Sequence, residues 1–405
     1  MTSFGTSPHL NVWRALLALA VVFVMLATTG WTALHTHRDS TALQASVTAW
    51  ERDSVGGHRL PNPGAAPAEL SGFFDSLGAH EREELAQRHP LVVGNMNGAP
   101  VELRYRANYL ALDEARKVER RRMHDNRLSP IGKQQASRRM HRFEALMAGG
   151  RHILAFDPDG SGRVAEVFGD LARAQRVSVV VPGVDTDLLT FEKSNRPFTA
   201  PVGMAKALYA AERAKSPTTR TAVIAWADYT APAGLGVDAA TAMRAEDGAV
   251  RLNAMLRGLP GGVPVSMFCH SYGSVVCGVA APGMPHRVAD MAVAASPGMR
   301  VTSAARLRTS AHVWAMRDPS DWIQDVPYLE VGGLGHGQDP VSAAFGARVL
   351  SARDAQGHAG YFEPGTDSLR NLADIGVGAY HSVRCAHDGD VCRAGLSGTA
   401  HAGRA

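Results

Sequence analysis

A serine can act as a nucleophile only when its hydroxyl projects clear of the backbone and a base stands ready for its proton. Ser271 lies in Met267-Phe268-Cys269-His270-Ser271-Tyr272-Gly273, where a β-like apolar run gives way to a helix-compatible one. Small residues two places to either side of such a serine let strand and helix approach closely, which is the logic of a G-x-S-x-G turn. Gly273 meets that need; Cys269 departs from glycine but is still small. The N-terminus of the following helix would aim N–H groups at developing negative charge. In this setting Ser271 reads as a nucleophile rather than an ordinary strand-end serine.

A serine on this kind of turn takes its acid, and then its histidine, from farther along the chain. Arg317-Asp318-Pro319-Ser320-Asp321-Trp322-Ile323 follows the apolar run 312–316, so both Asp318 and Asp321 stand at the carboxyl end of a strand. Asp321 is preferred, because a D-x-I continuation would pack back against a sheet; Asp318 is the alternative acid, and whichever of the two is not the acid is a loop or capping residue. For the base, His358 follows the apolar stretch 344–350 and precedes a helix expected over 368–375. That suits a loop returning to the carboxyl edge of the sheet. His336 is the alternative, better placed to shape the loop near Asp339, and His270 is expected to be packed or hydrogen-bonded. An oxyanion hole needs two N–H donors. Tyr272 would supply one, and Val184 or Asp185 the other, in a loop where Gly183 permits close approach.

The elements that must position these residues follow from periodicity. Strands expected at 177–181, 222–226, 263–268, 290–295 and 312–316 interleave with helices at 201–215, 240–257 and 272–281. Short apolar runs alternating with helices predict a mostly parallel sheet covered on both faces. Runs at 153–156 and 164–168 flank the turn 157–162 as a hairpin. That turn begins like a calcium loop, but its twelfth position is Phe168 rather than glutamate, so it reads as a turn. Residues 70–150 are expected to be helical, and the connection from 295 to 312 is too short for a large lid. The helical region is therefore expected to pack over Ser271 and partly cover it. The resulting organisation is 1–40 as a membrane segment, 41–69 as linker, 70–150 as helical region, 151–380 as catalytic domain and 381–405 as tail.

Of the 405 residues 45% are hydrophobic and 20% charged, with a net charge of +4, an ordinary globular balance. The basic groups crowd into 116–122 and 138–142, interleaved with helix-compatible acids or spacing. They read as a solvated helix face, so no nucleic-acid partner is expected. The run 15–34 carries no charge and is long enough to span a bilayer. It reads as an uncleaved signal anchor, single-pass with the catalytic body extracytoplasmic; cleavage would make the protein secreted. Cys385 and Cys392 bracket a polar loop that can close as a disulfide, whereas Cys269 and Cys277 read as small buried apolar residues. His381 and His387 match no standard zinc spacing, so no metal is expected, and the chemistry requires no cofactor.

Several stretches resemble an actinobacterial α/β-hydrolase family. They are His89-Pro90, Gly94-Asn95-Met96-Asn97-Gly98-Ala99-Pro100, Arg104-Tyr105-Arg106-Ala107-Asn108, Leu154-Ala155-Phe156-Asp157-Pro158, Val180 through Asp187, the serine turn, and His358 with Tyr361. The family's turn is of the G-H-S-x-G type, with Cys269 here in place of its first glycine. The resemblance implies an α/β-hydrolase fold and a Ser-Asp-His hydrolase, favours His358 over His336, and implies no substrate. The expected function is cleavage of an ester or related acyl bond in a small-molecule or lipid-like substrate. An amidase or acyltransferase using the same triad, or an inactive membrane-tethered binding protein on this fold, are the alternatives.

Overall fold

The computed structural model describes residues 41–387 and 389–396. The expected signal anchor falls outside them. Among the described residues no helix is long and apolar enough to cross a membrane.

The main sheet is built from β1 (His152–Asp157), β2 (Arg163–Phe168), β3 (Arg176–Val181), β4 (Thr221–Ala227), β5 (Val265–His270), β6 (Val288–Ala294), β7 (His312–Met316) and a short β10 (Arg348–Val349). Between the last two stands a separate ribbon, β8 (Glu330–Val331) with β9 (Leu334–Gly335). In space the main sheet runs β10-β7-β6-β5-β3-β4-β2-β1. The strands from β10 to β4 are mutually parallel, and β2 and β1 close one edge as an antiparallel hairpin. β5, which leads to Ser271, lies in the interior of the sheet, where its run Val265-Ser266-Met267-Phe268-Cys269-His270 is buried on both faces. The apolar stretch 344–350 yields only two residues of strand.

Helices cover both faces, because alternate side chains of each strand need cover on opposite sides. Leu252 and Met255 of one helix (Met243–Gly258) join Val275 and Val276 of the helix after Ser271 (Gly273–Ala280) against Val179 and Met267. On the other face Leu208 (Pro201–Lys215) and Leu372 (Asp367–Gly376) pack with Val180 and Phe268.

The N-terminal helices form as expected but do not cover Ser271. Helices Pro90–Asn95 and Val101–Met123 dock on the outer edge of β1. Their polar side chains bond its backbone: Asn95 Nδ2 donates to Phe156 O (2.6 Å) and its Oδ1 accepts from Phe156 N (3.0 Å). Arg104 Nη2 donates to Leu154 O (2.8 Å), and Asn108 Nδ2 to Ile153 O (2.9 Å). An edge strand carries unpaired backbone groups that must be satisfied or protected. These side chains are committed to that task, several strands away from Ser271. Gly94 makes the approach possible, since a Cβ there would lie 2.1 Å from Asn108 Oδ1. The expected linker 41–69 also departs from expectation, because Ala42–Glu51 is a helix. Trp50 is fully buried there, and its Nε1 donates to Pro61 O (2.7 Å).

Candidate active site

The chain turns sharply between the end of β5 at His270 and the helix beginning at Gly273. Ser271 sits at the apex with φ of 54°. That left-handed backbone is costly for a residue with a side chain, and it persists because the surroundings fix it. The Ser271 N–H donates to Ala294 O (3.0 Å), tying the apex to β6. A Cβ on Gly273 would lie 2.3 Å from Val181 O and 2.7 Å from Pro182 O, so the helix can start there only without a side chain. A Cβ on Gly183 would come within 2.7 Å of Ser271 Cβ.

Cys269 and Cys277, expected as small buried apolar residues, are buried and in addition joined in a disulfide. The turn folds the helix back beside β5, which brings positions two before and six after the serine to a Cα separation of 6.5 Å. The same geometry that needs a small residue at 269 thus supports a cross-link over Ser271. Cys385 and Cys392 also pair.

His358 lies in a short helical turn, Gly357–Phe362. Its Nε2 stands 2.9 Å from Ser271 Oγ and its Nδ1 2.9 Å from Asp321 Oδ1. Asp321 is fully buried. Its carboxylate also accepts from Ile323 N (3.0 Å) and Tyr361 Oη (2.7 Å). Burial pushes the Asp321 carboxyl up, but the hydrogen bonds from His358, Tyr361 and the Ile323 N–H outweigh it and hold the group below its ordinary range. The Trp322 ring packs 4.5 Å from that of His358. The structure therefore brings Ser271, His358 and Asp321 together in a continuous chain of hydrogen bonds.

The alternatives are placed elsewhere. Asp318 Oδ1 accepts from Ser320 N (2.9 Å) and Gly357 N (3.2 Å), fixing the loop that carries His358 rather than bonding its ring. His336 Nε2 bonds Ala239 O (2.7 Å). Burial lowers the His336 pKa. His270 Nε2 bonds the His358 carbonyl (2.7 Å), and burial pushes its pKa down to about 4, so it stays neutral and braces the His358 backbone.

Of the expected oxyanion donors, Tyr272 and Val184 line the same cavity as Ser271. Asp185 does not fit the role: its N–H donates to Pro232 O (2.8 Å), and its carboxylate accepts from Gly234 N (2.7 Å). That cavity has a volume of about 480 Å³ and opens over Ser271 between segment 235–240 and segment 322–336. Another, of about 520 Å³, lies between the N-terminal helices and Pro158–Gly160, and no residue of the Ser-His-Asp group lines it.

Tyr361 is a site residue to which sequence reasoning gave no role. It links the two aspartates, accepting from Asp318 N (2.8 Å) while donating to Asp321. Its spacing of three from His358 on a helical turn was the available signal.

Comparison with known proteins agrees with this architecture. Residues 157–331 match a family described as alpha/beta hydrolase. Two uncharacterized proteins of Mycobacterium tuberculosis are 28% identical over 392 aligned residues, covering 82% of this chain. The chain spans 58% of the length of those relatives. Among solved structures, a lidless α/β serine hydrolase from Xanthomonas campestris aligns at 14% identity and a TM-score of 0.35, over 57% of this chain and 94% of its own. Dienelactone hydrolase from Anabaena variabilis aligns at 15% identity and a TM-score of 0.33, over 55% and 93%. The sheet order, the strand–serine–helix turn and the family match together give this chain the α/β-hydrolase fold.

Proposed function

We propose that the protein is a serine hydrolase that cleaves an ester or related acyl bond through an acyl-Ser271 intermediate. The observation that carries this reading is the relay from Ser271 Oγ through His358 to buried Asp321, each step 2.9 Å. As Ser271 Oγ attacks the carbonyl carbon, His358 Nε2 takes its proton, and the carbonyl oxygen becomes the oxyanion of a tetrahedral intermediate. Asp321 fixes the ring and stabilises the imidazolium. The Tyr272 and Val184 N–H groups are our assignment for the oxyanion donors. Collapse expels the alcohol with the proton returned by His358; water, activated by the same nitrogen, then releases the acid.

The two disulfides and the apolar run 15–34 support an extracytoplasmic setting for this domain. Steady-state hydrolysis of p-nitrophenyl butyrate tests the proposal. Ser271→Ala is expected to lower kcat by about 10⁴-fold or more, and Asp321→Asn by about 10³- to 10⁴-fold. Equal rates for wild type and Ser271→Ala would refute it.

A further inference from the structure

We propose that the cavity over Ser271 holds the acyl chain of a lipid ester, and that the β8–β9 hairpin is an apolar lip by which the enzyme meets the lipid aggregate presenting that chain. The inference rests on the serine-hydrolase reading and names its substrate class.

No Asp, Glu, Lys or Arg lines the cavity, and its polar side chains are few. Of these, Tyr272 Oη donates to Thr241 O (2.9 Å) and His336 Nε2 bonds Ala239 O (2.7 Å). Apart from Ser271 itself, the walls therefore have little to offer a charged, phosphorylated or polyhydroxylated acyl group, which would lose its water without replacement. Ile323, Val326, Pro327 and Pro297 suit methylenes instead.

The rim points the same way. Of the twelve large apolar side chains standing exposed among the described residues, five line this one cavity: Leu235, Trp322, Leu329, Val331 and Leu334. Val331 is 69% exposed and Leu235 71%. Exposed apolar groups scattered singly need no explanation, whereas a cluster at a cavity mouth marks a contact surface.

The hairpin is built to hold its apolar groups outward. Gly332 and Gly333, at φ of 59° and 85°, form a two-residue turn that only such a backbone closes tightly. Val331 and Leu334 are paired directly across it. An isolated two-stranded ribbon is marginal in water. Here Arg300 anchors it, pairing with Glu330 (2.8 Å) and donating to the Gly335 carbonyl, while His336 ties its base to Ala239 on the opposite wall. Continuity of this lip with the cavity that ends on Ser271 identifies its occupant as the aggregate that supplies the chain.

The test begins with fluorophosphonate labelling of the wild-type protein, then measures kcat/KM on soluble p-nitrophenyl esters from acetate to octanoate. The inference predicts a rise of about fourfold per added methylene, the value of moving one CH₂ from water into an apolar slot. It further predicts that the double variant Val331→Asp/Leu334→Asp lowers the ratio of activity on micelle-dispersed p-nitrophenyl palmitate to that on soluble octanoate, a chain long enough to fill the cavity in both assays, by about tenfold or more. A labelled wild type with a flat or falling chain-length series overturns this inference and leaves the hydrolase reading standing. A rising series with an unmoved ratio overturns the lip. Absence of labelling overturns the hydrolase reading and this inference with it. The wild-type series does not depend on how the variant folds.

Discussion

Tyr361→Phe isolates the support beneath the proposed triad, because it deletes one oxygen and leaves the ring that packs around it. Asp321 is fully buried, and Tyr361 Oη, at 2.7 Å, is the hydrogen-bond donor to its Oδ2. A hydrogen bond to a buried charged acceptor contributes about 1.5–3 kcal/mol. The change also strips the Asp318 N–H of its acceptor at 2.8 Å, a neutral bond worth about 1 kcal/mol. Together they give a loss of about 3 kcal/mol in unfolding free energy. If half of that is also lost when the imidazolium forms, kcat/KM falls about tenfold. The pH sign is fixed by the direction of the Asp321 shift. Its carboxyl is held low in the folded protein, so the stability it contributes is present at neutral pH and lost as pH falls through the folded value. Removing one of the bonds that lowers it moves that acid loss to higher pH. Urea titrations at several pH values, with kinetics on p-nitrophenyl butyrate, read all three effects. A variant within about 0.5 kcal/mol and twofold of wild type would refute the role given to Tyr361.

Burial pushes the Glu212 carboxyl from 4.5 to about 7. The folded protein then holds a proton that the unfolded chain releases, so stability from this group is full below the unfolded value and falls as pH rises toward the folded one. The total is about 3 kcal/mol, and the wild-type advantage over Glu212→Gln should shrink by that amount between pH 4.5 and 7; an unchanged difference would contradict it. Replacing both Cys269 and Cys277 with alanine opens a loop with a sequence separation of 8. Chemical denaturation should show a loss of about 2.5 kcal/mol from loop-closure entropy, and no loss would dismiss the clamp over the serine turn.

What was legible in the sequence divides along a physical line. Strand–helix alternation and the small residues around Ser271 are local properties, so the sheet, its helices and the serine turn could be read from the chain. The choice between Asp318 and Asp321 was narrower, since both follow β7. Both also close the same two-residue turn, with Ser320 N bonding Asp318 and Ile323 N bonding Asp321, so the preference rested on the apolar Ile323, which is buried. His358 meets Ser271 across 87 residues of chain. No periodicity encodes that meeting, and loop position and family resemblance had to stand in for it. Three features escaped for the same reason. The Cys269–Cys277 bond exists only once the turn reverses the chain. The bonds of Asn95, Arg104 and Asn108 exist only once the edge of β1 stands beside them. The Asp185 N–H was a fair oxyanion candidate until Pro232 came within reach.

The most direct test of the central claim is the intact mass of the protein after reaction with a fluorophosphonate, followed by peptide mapping. The account predicts a single adduct on Ser271, absent from Ser271→Ala and formed far more slowly by His358→Ala. No adduct on the wild type, or an adduct that persists in Ser271→Ala, would contradict it.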